Sequence, residues 1–449
     1  MIHRRGSESL AMFAMKRISR VSTKKRAPSS SSPKAPRKER LPFLEELKST
    51  ENPAAALHLL LHAPPHLQDY PVCASLLHRL ARARLFPLVD ALLLFVRSNS
   101  VPCKDPIFNS LIHHFGKARL PHRALHLFLS IPSFNCPPSA PTRQTLNFLL
   151  NALVDNDALH EAESSLARCK EWNLRPNVVS YNIIIKGRCE KYGFESARHL
   201  FDEMRKRKVR PSVVSYNILI GHMSRNGHLG GAIRMKEEMV SKGTYPNAVT
   251  YALLMEGLCR EGKFDSAKKM MFDMQYQGCK TKLVNYGVLM SDCGRRGDLD
   301  GMKKLFVEMT RRRLRPDAVS YNILINYLCA RGGVDDAYKV FVEMQMKGCE
   351  PIAATYRMMV DGFCRAGEFG KGLRVLSTML CSSSKHCLKE ESFEALVVGL
   401  CEGGKLDDAC FVLEAMEKRK MGLGFEGWSS LVEACCGDAG KVFELPIEQ

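Results

Sequence analysis

Residues 178–185 read VVSYNIII, and nearly the same stretch recurs as VVSYNILI at 213–220 and as AVSYNILI at 318–325. The recurrence is periodic, because four separate columns of residues keep a step of 35 positions. These columns are Tyr181, Tyr216, Tyr251, Tyr286, Tyr321 and Tyr356; Met204, Met239, Met274, Met309, Met344 and Met379; Cys189, Ser224, Cys259, Gly294, Cys329 and Cys364; and Gly227, Gly262, Gly297, Gly332 and Gly367. Four columns in register predict a chain built from one repeated structural unit.

The repeat extends over most of the chain, with clear copies in the middle and weaker ones at the start. We assign units to residues 178–212, 213–247, 248–282, 283–317, 318–352, a longer 353–389, and 390–424, with 143–177, 105–142, 70–104 and a half unit at 41–69 upstream. The expected organisation is a basic leader over 1–40, degenerate helical repeats over 41–142, an array of about eight repeats over 143–424, and a partial repeat or cap over 425–449.

Each unit is predicted to contain two helices. In the repeat 213–247, apolar residues at helical spacing predict one helix from about Val214 to Arg225 and another from about Leu229 to Lys242. Gly227 lies between them, at a position typical of a left-handed helix end. One helical pair cannot bury its own apolar stripes, so neighbouring pairs must cover them. The sequence therefore predicts an all-α solenoid of stacked antiparallel helix pairs.

The charge of the chain is positive and unevenly distributed. The formal net charge is +19, and residues 1–40, with 12 Lys/Arg and two acidic residues, contribute +10 of it. A surplus of this sign favours a polyanionic partner, nucleic acid before a membrane surface. The leader mixes apolar and basic residues and then becomes rich in Ser and Pro. This composition predicts a transit peptide for the mitochondrion, or alternatively the chloroplast. The other interpretation is a basic disordered tail that acts in the nucleus or on RNA.

Catalytic and metal-binding patterns are not found in the sequence. The 17 cysteines include no C-x-x-C pair, and many of them fall at one position of the repeat, which favours buried reduced thiols. No nucleotide-binding motif or nucleophile elbow occurs. No uninterrupted apolar run approaches the roughly 20 residues of a membrane-spanning helix. We therefore expect no catalytic residue, no metal, no cofactor, no small-molecule substrate and no membrane partner, and a protein that is not an enzyme.

The stretches quoted above resemble the opening of pentatricopeptide repeats, and Lys208–Ser212 and Arg313–Asp317 resemble the end of that repeat. The resemblance is strong over 143–424, and the constant unit length resembles the P-type subclass. It implies a right-handed superhelix that binds single-stranded RNA in plant organelles, with one repeat facing one base. The C-terminus lacks the His/Cys signature that a deaminase of edited transcripts would need.

In such repeats the resemblance implies that the fifth and the last residue choose the base, while the apolar second residue lies against it. Carried onto this chain, the choosing pairs are Asn147 with Asn177, Asn182 with Ser212, Asn217 with Asn247, and Asn322 with Ile352; Asp317 closes the repeat 283–317. The flanking residues are Val179, Val214 and Val319, in one column with Val249 and Val284. The asparagines imply a pyrimidine-leaning stretch of RNA opposite residues 143–247. The alternative interpretation is that the valines only pack at a helix start and that the asparagines are polar residues on a first helical turn without contact to RNA.

Several repeats depart from this pattern, because Ala252, Gly287, Arg357 and Glu394 occupy the choosing position. The expected function is nonetheless sequence-directed RNA binding in transcript processing, splicing, stabilisation or translation, by occupying RNA, with other RNA-processing proteins as candidate partners. The rival function is a protein-interaction scaffold that does not bind RNA, which would need no bias toward asparagine. A further column of arginines either neutralises phosphates or carries solvated charges at helix ends: Arg225, Arg260, Arg295 and Arg365.

Overall fold

The computed structural model describes residues 37–50, 52–136, 141–381, 388–419 and 421–436. The predicted transit peptide lies outside the described residues, except for the few leader residues after 36. All regular secondary structure in these described ranges is helical, with 23 α-helices and three short 3-10 turns. No helix among the described residues is long and apolar enough to cross a bilayer.

The chain divides into two compact units, residues 1–222 and 223–449, and the division falls within one helix. The first unit contains helices α1 (Arg37–Ser49), α2 (Pro53–His62), α3 (Tyr70–Arg82), α4 (Phe86–Ser98), α5 (Asp105–Lys117), α6 (Pro121–Ser130), α7 (Arg143–Val154), α8 (Leu159–Ala167), α9 (Val178–Tyr192) and α10 (Phe194–Lys206), and the larger part of α11 (Val213–Arg225).

The second unit contains the rest of α11 and twelve further helices. These are α12 (Leu229–Ser241), α13 (Ala248–Arg260), α14 (Phe264–Tyr276), α15 (Leu283–Arg296), α16 (Leu299–Arg311), α17 (Ala318–Ala330), α18 (Val334–Met346), α19 (Ala353–Arg365), α20 (Phe369–Cys381), α21 (Glu390–Glu402), α22 (Leu406–Glu417) and α23 (Phe425–Cys436).

Within each unit the helices form pairs that stack on their neighbours, which confirms the predicted fold class. In the second unit, α13 packs on α14 within its own repeat and on α15 of the next repeat, and the same relation links α15 to α16 and α17. The first unit repeats this arrangement with α5, α6 and α7. The helices of repeat 213–247 match their predicted bounds to within a residue. The domain boundaries at 40, 142 and 424 stay a prediction.

The columns found in the sequence form the core of these stacks. The methionines are fully buried, from Met204 to Met379, and the six tyrosines are also buried. The glycine column ends the first helix of each pair, since Gly227 and Gly262 have φ values of 77° and 74°. Glycine adopts this region at no steric cost, which explains its recurrence in the column. In the repeat 143–177 the same position is Asp157, with a φ of 61°.

The start of several first helices is fixed by a polar cap. Asn177 precedes α9 and accepts a hydrogen bond from the Ser180 backbone N–H at 3.1 Å, while the Ser180 hydroxyl accepts one from the Asn177 N–H at 3.2 Å. Asn247 and Thr250 form the same reciprocal pair at the start of α13. A cap of this kind stabilises a helix by about 1 kcal/mol. The last residue of one repeat is therefore the N-cap of the next.

Candidate nucleic-acid interface

The second residue of successive repeats is an exposed valine on the first turn of a first helix. Val179 is 49% exposed, Val214 57% and Val319 61%. Val249 and Val284, in the same column, are also exposed. The alternative of ordinary packing does not account for side chains that keep about half of their surface in water. Their exposure leaves an apolar surface at a constant place in each repeat, available to the face of a planar ring.

The fifth residue of two repeats is an asparagine held by a hydroxyl group of the following repeat. In the first unit, Ser180 Oγ donates to Asn147 Oδ1 at 2.6 Å. In the second unit, Thr355 Oγ1 donates to Asn322 Oδ1 at 2.7 Å. Both asparagines are half-buried, and the Oδ1 atom of each is anchored in the protein.

In two of the four predicted choosing pairs, the fifth and last residues contact this same hydroxyl group. Ser180 Oγ lies 2.6 Å from Asn147 Oδ1 and 3.1 Å from Asn177 Oδ1. In the other repeat, Thr355 Oγ1 contacts Asn322 Oδ1 and also accepts from the Ile352 backbone N–H at 3.1 Å. The fifth and last residues of a repeat, some 30 positions apart in sequence, thus meet at one point.

The remaining predicted residues occupy the same fifth or last position of their repeats but differ in solvent accessibility. Asn182 is only 8% exposed, and its buried Oδ1 has no hydrogen-bond partner among the described residues. A buried carbonyl oxygen left in this state costs about 1–3 kcal/mol. Asn217 is half-buried. Of the closing residues, Ser212 exchanges hydrogen bonds with Ser215, while Asp317 accepts two from Ser320, at 2.9 and 2.7 Å.

The repeats that depart from the asparagine pattern have different structures at the fifth position. Ala252 is buried, and Gly287 has no side chain, so neither presents a polar group. Glu394 has a structural role, because its Oε1 accepts a hydrogen bond from the Gly427 N–H at 3.2 Å near the start of α23. Because these residues offer no asparagine amide at the fifth position, the base preference of their repeats does not follow from the asparagine pattern.

The sequence reasoning did not identify the third-position column, which supplies the anchoring hydroxyl groups. All its members are buried and all are Ser, Thr or Asn: Thr145, Ser180, Ser215, Thr250, Asn285, Ser320, Thr355 and Ser392. The signal was present, since a Ser, Thr or Asn three residues after a helix N-cap can accept from the N-cap N–H, as Glu or Gln does in a capping box. The second role of this column is the hydrogen bond to an asparagine of the preceding repeat, and that bond depends on tertiary packing.

The arginine column lies on the surface of the second unit. Arg225, Arg260, Arg295 and Arg365 are all exposed. Arg260 contacts Glu256 at 2.9 Å and Arg295 contacts Asp292 at 3.1 Å, each within its own helix. Exposed ion pairs contribute only about 0–1 kcal/mol. Arg260 can therefore exchange Glu256 for a phosphate at little cost, whereas the Asp292 partner of Arg295 is itself buried.

The cysteines of the column of small residues have the raised pKa values of buried thiols that serve packing. Burial raises the pKa of Cys259 to about 12 and that of Cys329 to about 11. A thiol with such a pKa is protonated at neutral pH and is a poor nucleophile and metal ligand. No group of three or more His, Cys, Asp and Glu side chains within the described ranges is arranged to hold a metal ion.

Sequence profiles of known families match the chain in nine segments. The profile described as "PPR repeat family" matches residues 141–190, 176–221, 211–260, 281–330 and 316–365. The profile described as "PPR repeat" matches 106–136, 249–279, 354–383 and 391–421. All of these matches are to the repeat itself.

Individual relatives are similar over part of their length. A mitochondrial pentatricopeptide repeat-containing protein of Arabidopsis thaliana is 48% identical over 145 residues, which cover 32% of this chain and 31% of the relative. A second mitochondrial protein of the same description and organism is 30% identical over 161 residues, covering 34% of this chain and 30% of that protein. The matched segments thus span about a third of these curated relatives.

Among solved structures, the chain is similar to the pentatricopeptide repeat protein PPR10 from maize, crystallised with an 18-nucleotide psaJ RNA element. The similarity covers 91% of this chain and 68% of that one, with 19% identity and a TM-score of 0.45. The two repeat profiles together match residues 106–136, 141–279, 281–383 and 391–421. The chain belongs to the pentatricopeptide repeat family.

Proposed function

We propose that this protein binds single-stranded RNA in an organelle and acts by occupying the strand. One observation carries the proposal: an exposed valine, a half-buried asparagine and a polar N-cap residue lie together at the start of a first helix. Repeat 178–212 provides Val179, while Asn147 and Asn177 of the preceding repeat meet beside it at Ser180. The exposed valine recurs at the period of the repeat, at Val179, Val214, Val249, Val284 and Val319, as a binder of a regular polymer requires.

The chemistry of this constellation suits an unpaired base. An exposed valine offers an apolar surface to the face of the ring, and an asparagine amide offers directional hydrogen bonds to its edge. Both surfaces of a base are accessible only when the strand is single and its bases are unstacked. The valine would contribute affinity with little selectivity, and the amide would contribute selectivity.

We propose a pyrimidine-leaning site opposite residues 143–247, where three consecutive repeats have asparagine at the fifth position. The proposal extends to membership of the P-type subclass, supported by the constant 35-residue step of the tyrosine column. The exposed arginine column supports contact with the phosphate backbone, which supplies affinity independent of sequence.

We propose that the protein is not itself an enzyme. A bound strand would be protected from exonucleases, kept free of hairpins, or presented to splicing, processing or translation factors. Those factors are the proposed protein partners, and no cofactor is required by this mechanism. The raised thiol pKa values and the matches to the repeat alone support this assignment.

We place the protein in the mitochondrion, with the chloroplast as the alternative. The mitochondrial relatives and the basic leader support this location. Residues 1–40 fused to a fluorescent protein should direct it to mitochondria. Accumulation in the nucleus or in plastids would contradict the assignment.

The function is tested by crosslinking the tagged protein to RNA in isolated organelles and sequencing the bound fragments. We expect enrichment of a small number of transcripts at a pyrimidine-containing site. Enrichment of protein partners without any transcript would instead support the scaffold function. The specific observation that favours that rival is Glu394, whose fifth-position side chain caps a helix and does not face a ligand.

A further inference from the structure

We propose that the buried third-position hydroxyl of one repeat fixes the orientation of the base-reading asparagine in the repeat before it, so that this asparagine presents only N–H donors to the RNA. The inference rests on the proposed RNA-binding function and deepens it. It assigns Ser180 and Thr355 as positioning residues for Asn147 and Asn322. The ligand it specifies is a base whose edge offers hydrogen-bond acceptors, such as the carbonyl oxygens of uracil or O2 and N3 of cytosine.

The hydrogen bonds of Thr355 decide the orientation of the Asn322 amide. Thr355 Oγ1 accepts a hydrogen bond from the Ile352 N–H at 3.1 Å and lies 2.7 Å from Asn322 Oδ1. Ile352 has no polar side chain, so the hydroxyl proton of Thr355 has a single acceptor, which is Asn322 Oδ1. The Nδ2 group of Asn322 makes no hydrogen bond with any described residue and is left for a ligand.

Reversal of the Asn322 amide is unfavourable in this setting. Thr355 is fully buried, so a flipped amide would direct Nδ2 toward Oγ1 and leave the hydroxyl proton without an acceptor. An unsatisfied buried donor of this kind is costly, and an asparagine in free solution has no such preference. The buried hydroxyl thereby converts a side chain that can donate or accept into one that only donates outward.

The same arrangement occurs in the first unit, with one competing acceptor. Ser180 is fully buried, and its Oγ accepts from the Asn177 N–H at 3.2 Å. Its proton has two possible acceptors, Asn147 Oδ1 at 2.6 Å and Asn177 Oδ1 at 3.1 Å. The shorter contact favours Asn147, and Asn177 Oδ1 already accepts from the Ser180 backbone N–H. Both oxygen atoms of the pair are therefore engaged inside the protein.

Where the preceding repeat offers no acceptor, the third-position side chain bonds elsewhere. Gly287 occupies the fifth position before Ser320, and Ser320 Oγ donates to its own cap residue, Asp317, at 2.7 Å. Ala252 precedes Asn285, whose Nδ2 donates to the Ala248 carbonyl oxygen at 2.9 Å. The link across repeats is absent where the asparagine is absent, so it is not a general feature of the cap. It is also absent at Asn182, whose Oδ1 has no partner among the described residues, while Ser215 Oγ lies 3.3 Å from Ser212 Oγ.

The difference between Ser180 and Ser320 supplies a matched control for an RNA-selection experiment. Ser180→Ala and Ser320→Ala both remove a buried hydroxyl from the same column and the same kind of cap. Only Ser180→Ala also releases a reading asparagine. The full-length wild-type protein and both variants would each select RNA from one random single-stranded pool, and base frequencies at each bound position would be compared.

For Ser180→Ala we expect the preference at one position, opposite the repeat 143–177, to fall by about tenfold, a typical contribution of one well-placed base contact. Bases that offer donors should gain there, because the freed amide can present Oδ1. Ser320→Ala should bind with an unchanged motif. If Ser180→Ala keeps the wild-type preference while Asn147→Ala loses it, the positioning role is overturned and RNA reading survives. If the wild-type protein selects no motif, both are overturned.

A gain-of-function variant tests the positioning role of the third-position hydroxyl in the second unit. A Cβ added at Gly287 would lie 3.4 Å from Ile323 Cδ1, an ordinary contact, so the backbone at this position accommodates a side chain. We expect this variant to acquire a new base preference, because Ser320 Oγ can then donate to the introduced amide. Adding Ser320→Ala to Gly287→Asn should weaken that preference by about tenfold. An undiminished preference in the double variant would overturn the proposal even if Ser180→Ala reduces stability.

Discussion

The exposed valine column gives the sharpest test of the RNA-binding surface, because replacing it should affect binding without affecting folding. The change is Val→Ala at Val179, Val214 and Val319. Valine to alanine removes two carbon groups, worth about 1.6 kcal/mol when fully transferred from water. Val319 retains 61% of its surface in the free protein, so a base can cover at most about that fraction. The expected loss is therefore about 1 kcal/mol per valine.

Summed over the three sites, the loss should be about 3 kcal/mol, or roughly a hundredfold in Kd, since the valines lie in separate repeats and should act additively. Stability should be unchanged or slightly higher, because alanine is the better helix former. The assay is fluorescence anisotropy with an RNA selected by the wild-type protein, beside a thermal unfolding curve.

The matched control for this prediction is Val307→Ala. Val307 is 47% exposed but lies on the second helix of its repeat, α16, outside the valine column. This variant should bind RNA like the wild-type protein. A triple variant that is folded and binds with unchanged Kd would refute the claim that the valines lie against the bases.

The other predictions concern specificity, electrostatics, stability and thiol chemistry. Replacing Asn182 and Asn217 by Thr should move the preference toward purine at two adjacent bases, as read from selected RNA; an unchanged motif would contradict the residue assignment but leave the fold intact. If the four exposed arginines neutralise phosphates, the log–log salt dependence of binding should have a slope near −3, at about −0.7 per contact, and their joint replacement by Gln should remove it. Met274→Ala should destabilise the protein by about 2–5 kcal/mol in urea unfolding, because Met274 is fully buried in the core; a loss below 1 kcal/mol would show that the site collapses or is poorly packed. Cys259, with a pKa raised to about 12, should resist alkylation at pH 8 while the exposed Cys410 reacts, as mass spectrometry of the native protein would show; equal labelling would contradict the burial of Cys259.

Much of the fold could be predicted from the sequence because the periodic signals are local. Helix spacing, the glycines that end many first helices and the polar caps that begin several of them depend on residues within one turn of each other. The same residues then recur every 35 positions, so the register of one repeat predicts that of the next. For this reason the predicted helices of repeat 213–247 agree with α11 and α12.

The candidate site was only partly predictable. The resemblance to a known repeat pointed to Asn147 and Asn177, but it gave no reason for their hydrogen-bonding state. That state depends on Ser180, which the sequence indicates only as a cap. Asn182 and Asn322 are identical in residue type and repeat position, yet Asn182 is buried with an unpaired oxygen and Asn322 is half-buried and anchored. Local sequence does not distinguish them.

The sequence by itself determined the period, the helical pairs and the core columns of Tyr, Met and small residues. Each of these follows from backbone preferences and from the burial of apolar stripes, which are properties of short segments. The tertiary structure alone decided which fifth residues are accessible and which are anchored. Thr355 reaches Asn322 across 33 residues of chain because stacked first helices bring the two together. A hydrogen bond between neighbouring repeats depends on their relative position to within a few tenths of an ångström. The periodicity of residue types does not determine that distance.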